Sequence, residues 1–223
     1  MTKNDMTPQD YETLLSRIIP EMAAHGLKAT TMDMVASRLQ MSKRTLYEIF
    51  GSKNGMVAEI IRYIFDEHRK RAEAAFKEAD NVLLAFMKIY ELQRDFMSKT
   101  DVAFFRDLDR IIDLKKEYRS NRERRIGELE NVLRLGIQQG VVDPNVNIRA
   151  YLALFEVQME SLKRMEEFFP ADITLIDALD TVSHSFLRSI ASRRGLDMLD
   201  EWNRRMADAA NPETRNQDHT TSD

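Results

Sequence analysis

Apolar residues recur at intervals of three and four along most of the chain, the period of helices that bury one face. Tyr11, Leu14, Leu15, Ile18, Ile19 and Met22 open the pattern, and Gly26 stops it. Pro20 lies inside this first stripe, where it removes one hydrogen bond and crowds the carbonyl of Ser16, so a bend or a late helix start is expected. Met32, Val35, Ala36 and Leu39 form the inward face of a short second helix, with Thr30 and Asp33 at capping-box spacing. Ser42 is placed to cap a third helix, whose Leu46, Ile49 and Phe50 point inward. Longer stripes run from Met56, Ile60 and Ile64 to Ala79, and through Leu83, Phe86, Met87, Tyr90 and Phe96. A short segment around Phe104, Phe105 and Leu108 precedes a charged stretch that turns apolar before Gly140, and Asp143 and Pro144 then mark a turn. Two further helices are expected at about 146–168 and 172–194, separated by Pro170. With only 7 Gly and 5 Pro in 223 residues, little interrupts the helical period, and the fold class is all-α.

The chain has no cysteine, which excludes disulfides, thiolate metal sites and cysteine nucleophiles. Its first residues lack the apolar core of a secretory signal, and no run of about 18 apolar residues appears, so a soluble, cytoplasmic protein is expected. A formal net charge of −4 argues against a protein that coats nucleic acid with an evenly basic surface. Residues 1–55 hold seven Lys/Arg against six Asp/Glu, too even a balance to decide anything alone. Beyond about Ala210 the chain loses its apolar content and is expected to be a disordered tail, 211–223.

Two short helices joined by about three residues, the second polar on its outer side, form a helix-turn-helix pattern whose second helix can enter a major groove. Ala36 falls where the two helices cross, and Met41 and Leu46 fill the wedge between them. Lys43, Arg44, Thr45, Tyr47 and Glu48 are left facing outward.

The stretch "TTMDMVASRLQMSKRTLYEIFGSKNGM" resembles the N-terminal domain of the TetR family of transcriptional regulators. It supplies Thr30 and Thr31, Val35 and Ala36, then Ser42, Lys43, Thr45, Leu46, Tyr47, Phe50, Ser52 and Lys53 in the family's order. The resemblance implies an N-terminal three-helix helix-turn-helix DNA-binding domain, 1–53, and a C-terminal helical ligand-binding and dimerisation domain, 54–210. It also implies a DNA-contact set of Thr30, Thr31, Ser42, Lys43, Arg44, Thr45, Tyr47 and Lys53. Within that set Lys43, Arg44 and Thr45 would meet base edges, while Thr31, Ser42, Tyr47 and Lys53 would hold phosphates. Arg44 is the leading specificity residue, since a guanidinium pairs with guanine O6 and N7. The chain departs from the family pattern in two places. Gln40 stands where the turn usually has Gly, at a cost of roughly 1 kcal/mol if φ is positive. Asn54 and Gly55 replace acidic residues, which weakens the expected first turn of the fourth helix.

The resemblance also implies a ligand pocket among the middle helices, which are rich in Met and aromatics, Phe96 and Met97 among them. Phe86, Met87, Tyr90, Phe104, Phe105, Tyr118, Phe155 and Met159 are the candidate lining of a site for a small apolar or aromatic effector. A homodimer is expected through helices 146–168 and 172–194, pairing two reading heads with a palindromic DNA operator. His25, His68, His184 and His219 are scattered, as chance surface placement would leave them, and no metal or other cofactor is expected. No phosphate-cradling Gly-rich loop or nucleophile elbow occurs, so the chain is not expected to be an enzyme. The basic run Lys115 to Arg125 includes Glu117 and Glu123 and reads as a solvated helix face. The sequence therefore points to a ligand-responsive repressor. The alternatives are a helical protein-interaction adaptor that binds no DNA, and a small-molecule carrier.

Overall fold

The structure, a computed structural model, describes residues 3–109 and 122–210. After a 3-10 turn at Lys3–Asp5 come α1 (Pro8–His25), α2 (Met32–Leu39), α3 (Lys43–Phe50), α4 (Lys53–Glu78), α5 (Val82–Ser98) and α6 (Val102–Asp109). The second half holds α7 (Arg122–Gln138), α8 (Ile148–Ser161), a 3-10 turn Leu162–Arg164, α9 (Met165–Phe168), α10 (Leu175–Ile190) and α11 (Arg193–Ala210). Among the described residues the only β-type pairing is an isolated antiparallel bridge between Val142 and Ala191.

Side-chain caps set where many of these helices start. Thr7, Thr31, Ser42, Ser52, Asn81, Asn147 and Thr174 each accept a hydrogen bond from the backbone N–H three residues on. Such a cap stabilises a helix by typically ~1 kcal/mol. At α10 the exchange is reciprocal, because Asp177 Oδ2 also accepts the backbone N–H of Thr174 at 3.0 Å.

Four sequence expectations change here. The first helix is continuous from Pro8 with Pro20 inside it, so there is no late start. Pro20 and Ser16 are both exposed, and the carbonyl freed by the missing N–H meets water. The cap of α2 is Thr31, whose hydroxyl accepts from Met34 at 3.2 Å, and not Thr30. The expected helix 146–168 gives way after Ser161 to a 3-10 turn and a single helical turn. The expected helix 172–194 stops at Ile190, where extended Ala191 pairs with Val142, and Ser192 then caps α11 by accepting the N–H of Gly195 at 3.1 Å. Helix α11 was not anticipated from the sequence. The tail 211–223 lies outside the described residues.

The buried side chains form two clusters. The first joins α1, α2, α3 and the start of α4 to Tyr90, Met97, Phe104, Phe105, Leu162 and Leu179. The three N-terminal helices therefore share a continuous core with the body. The second gathers Leu83, Met87, Leu133, Leu152, Phe186 and Leu199 from α5, α7, α8, α10 and α11.

Candidate nucleic-acid interface and ligand cavity

Gln40, Met41 and Ser42 connect α2 to α3. Gln40 sits at φ 55° and ψ 38°, the left-handed conformation that glycine adopts freely. The strain is retained because the turn closes the helix end tightly. Gln40 N–H donates to Ser37 O at 3.2 Å and Met41 N–H to Ala36 O at 3.0 Å. Ala36, Leu39 and Leu46 are buried in the wedge and Met41 is half-buried. Helix α3 thus has two distinct sides, with Leu46, Ile49 and Phe50 buried and Lys43, Arg44, Tyr47 and Glu48 exposed.

Carboxylates hold the outward cations. Lys43 Nζ lies 2.6 Å from Asp33 Oδ1, and Arg44 Nε donates to Glu48 Oε1 at 2.9 Å. The hydrogen bond that Lys43 donates to Asp33 raises its ammonium above the usual range, and the one from Arg44 holds Glu48 below the usual carboxylate range. Arg44 is 89% exposed, so its pair with Glu48 is weak. The hydroxyls of Ser42 and Thr45 lie 2.7 Å apart at the start of α3. Lys53 Nζ donates to the backbone carbonyl of Lys28.

Thr30 is corrected as a DNA contact. Its side chain is fully buried, and its hydroxyl donates to Gly26 O at 2.8 Å, closing the loop between α1 and α2. The weak first turn expected of α4 is corrected as well. Ser52 caps it, accepting from Gly55 N–H at 3.0 Å, and a Cβ on Gly55 would stand 2.3 Å from the carbonyl oxygen of Phe50. Gly55 permits a close backbone approach between the end of α3 and the start of α4.

A cavity of about 440 Å³ opens between α4, α5, α6 and the end of α8. Of the expected lining residues, Phe104, Phe105 and Met159 are there. Phe86, Met87, Tyr90 and Phe155 are not, and Tyr118 lies outside the described residues. Phe86 packs edge-on to Phe76 and Phe186, and Phe155 stacks on Phe186 with centroids 4.3 Å apart. Met87 is in the second core cluster. The Tyr90 hydroxyl donates to Asp180 at 2.7 Å, and burial first and this bond second raise its pKa, while Arg94 clamps the same carboxylate. All four are taken up by packing between α5, α8 and α10.

Phe96 and Met97, read from sequence among the Met and aromatic residues of the middle helices, also line it, but sequence reasoning missed the α4 wall, Ile61, Ile64, Phe65, His68 and Ala72. The α4 residues form a helical stripe that reads as core whether it meets side chains or an opening. His68 is therefore not a chance surface histidine. It packs edge-on to Phe96 at 5.0 Å, and burial, then the Arg71 charge, lowers its pKa. His184 is also corrected, since it lies between the rings of Tyr90 and Trp202 with its Nε2 buried and unpartnered. His25 is at the surface and His219 lies outside the described residues. Arg125 is only partly solvated and pairs with Glu156 at 3.3 Å.

Helix α6 connects the cavity to the three N-terminal helices. Its Asp107 is buried and accepts the backbone N–H of Lys28 at 2.8 Å, while Asp101 N–H donates to Ala23 O at 2.8 Å. A Cβ on Gly26 would meet Ala103 Cβ at 3.1 Å, so the loop and α6 are in close contact.

A short helix with an apolar inner side and a basic, hydroxyl-bearing outer side, mounted on an all-helical body, defines a helix-turn-helix DNA-binding regulator. Residues 14–60 match the family model described as bacterial regulatory proteins, tetR family. The HTH-type transcriptional regulator YhgD of Bacillus subtilis is 33% identical over 73 residues, which cover 31% of this chain and 38% of that protein. The fold is similar to that of a transcriptional regulator from Saccharomonospora viridis in complex with choline, with TM-score 0.63, 14% identity, 83% of this chain and 100% of that chain. It is also similar to a TetR-family regulator from Marinobacter aquaeolei VT8, with TM-score 0.62, 17% identity, 88% of this chain and 99% of that one.

Proposed function

We propose that the chain is a dimeric repressor that binds a palindromic operator and releases it when a small ligand enters the cavity. The two-sided α3 carries this reading. With Leu46, Ile49 and Phe50 fixing the helix, Arg44 and Lys43 are offered to base edges and Tyr47 to a phosphate. Thr31 and Ser42 stand at the N-termini of α2 and α3, where backbone N–H groups favour phosphate, and Lys53 stands at the start of α4.

The surface of α8 and α10 supports the dimer. Leu154 and Val157 on α8 are each 61% exposed, an apolar pair with no cover in the monomer. Outward positions of α10 carry Thr181, Ser185 and Ser189. Thr181 and Ser189 donate to carbonyls of their own helix at 2.8 and 2.6 Å, so a second copy can cover them without orphaning a donor.

A mobility-shift assay on the DNA upstream of the gene tests the reading. Binding is expected to weaken steeply with salt and to lose sequence preference in Arg44→Ala. Absence of a shift, or a shift indifferent to salt, refutes it and favours the adaptor.

A further inference from the structure

The cavity wall is apolar except for a few side chains, and these divide into two groups. Arg69 is tied to Glu73 at 2.9 Å and to Asp66 at 3.4 Å, and Lys163 to Glu160 at 2.7 Å. His68, Arg71 and Gln93 also line the cavity, and none has a hydrogen bond or ion pair among the described residues. His68 and Arg71 are three apart on α4 and so share one side of that helix. Gln93 is one turn before Phe96 on α5, and Phe96 is the ring against which His68 packs. These donors are open to water at the cavity mouth, where a ligand acceptor can take the water's place.

The ends of the cavity also differ. Ile61, Met97 and Phe104 are buried at 1%, 6% and 2% exposure and close the inner end, whereas Arg71 is exposed at the outer one. Arg69 and Lys163 are answered by neighbouring carboxylates, so of the lining cations Arg71 has no ion pair among the described residues. A volume of about 440 Å³ holds on the order of fifteen non-hydrogen groups at the ~30 Å³ that a water occupies in the liquid.

From these observations, and resting on the cavity as the effector site, we propose that the ligand is an anionic amphiphile. A single carboxylate would be held at the mouth by Arg71, His68 and Gln93, with an apolar chain or ring of roughly that size directed inward. A cationic head at the mouth is disfavoured by the Arg71 guanidinium.

Displacement of Nile red, a neutral apolar dye, by decanoate and by decanol tests this in the full chain. Decanoate is expected to displace the dye at about a tenfold lower concentration than decanol, and Arg71→Gln to abolish that difference. Equal displacement by acid and alcohol, or a preference that survives in Arg71→Gln, overturns the carboxylate assignment while leaving the cavity as the effector site. Dye binding unchanged in Met97→Trp, which fills the inner end, shows that the dye is not in the cavity and overturns both readings. Loss of dye binding in Met97→Trp with the acid preference intact in wild type supports them.

Discussion

The backbone N–H of Lys28 donates to the carboxylate of Asp107, while the carbonyl of the same residue accepts from Lys53. One exposed loop residue is thus held on one side by the helix that carries Phe104 and Phe105 into the cavity, and on the other by the first residue of α4. Removing the carboxylate in Asp107→Ala orphans a backbone donor. The expected loss is about 1.5–3 kcal/mol of unfolding free energy, the range for hydrogen bonds to charged groups. Asp107→Asn keeps an acceptor and should lose less. Urea denaturation of the two variants checks the order.

Lys53 has one ammonium and two prospective partners, the Lys28 carbonyl and a DNA phosphate. Lys53→Met should weaken DNA binding about equally across sequences and reduce the salt slope by about 1. Arg44→Ala should instead cost roughly 1–3 kcal/mol at one base pair and relax preference there. Binding isotherms on a set of operator variants at several salt concentrations separate the two effects.

Thr30 offers the converse test. Its buried hydroxyl bonds Gly26 O, so Thr30→Val should lower stability by about 1 kcal/mol while leaving the salt slope of DNA binding unchanged. A changed slope with unchanged stability would return Thr30 to the interface.

His68 gives a pH signature. Its folded-state pKa lies below the ordinary 6.5, from burial first and the Arg71 charge second. Between the folded value and 6.5 the unfolded chain therefore binds more proton, and this group's contribution to stability falls as pH drops below about 6.5. His68→Gln should flatten the melting-temperature profile in that window, and histidine titration by NMR should place the folded value under 6.5.

At the turn, Gln40→Gly should stabilise the protein by about 0.5–1 kcal/mol. Relief of the left-handed strain exceeds the extra chain entropy that glycine loses. Chemical denaturation measures the gain.

The helix-turn-helix was legible in the sequence because its determinants are local. Ser42, Leu46, Ile49 and Phe50 specify cap and inner face within nine residues. The cavity was legible only in part. Phe104, Phe105 and Met159 announce apolar surface, but nothing local distinguishes them from Phe86 or Tyr90, whose partners Phe186 and Asp180 arrive from α10. Helix α11 was hidden for the same reason. Leu199 and Trp202 are anchored by contacts far along the chain, including the indole N–H of Trp202 donating to Glu91 at 2.9 Å.

Gly55 was read from sequence as a soft spot, and its contact with the carbonyl of Phe50 makes it the opposite. Where main chain rests on main chain there is no side-chain cushion to absorb displacement. The end of α3 and the beginning of α4 act as a keyed joint, so under the proposed release mechanism a rotation of α4 would carry α3 with it.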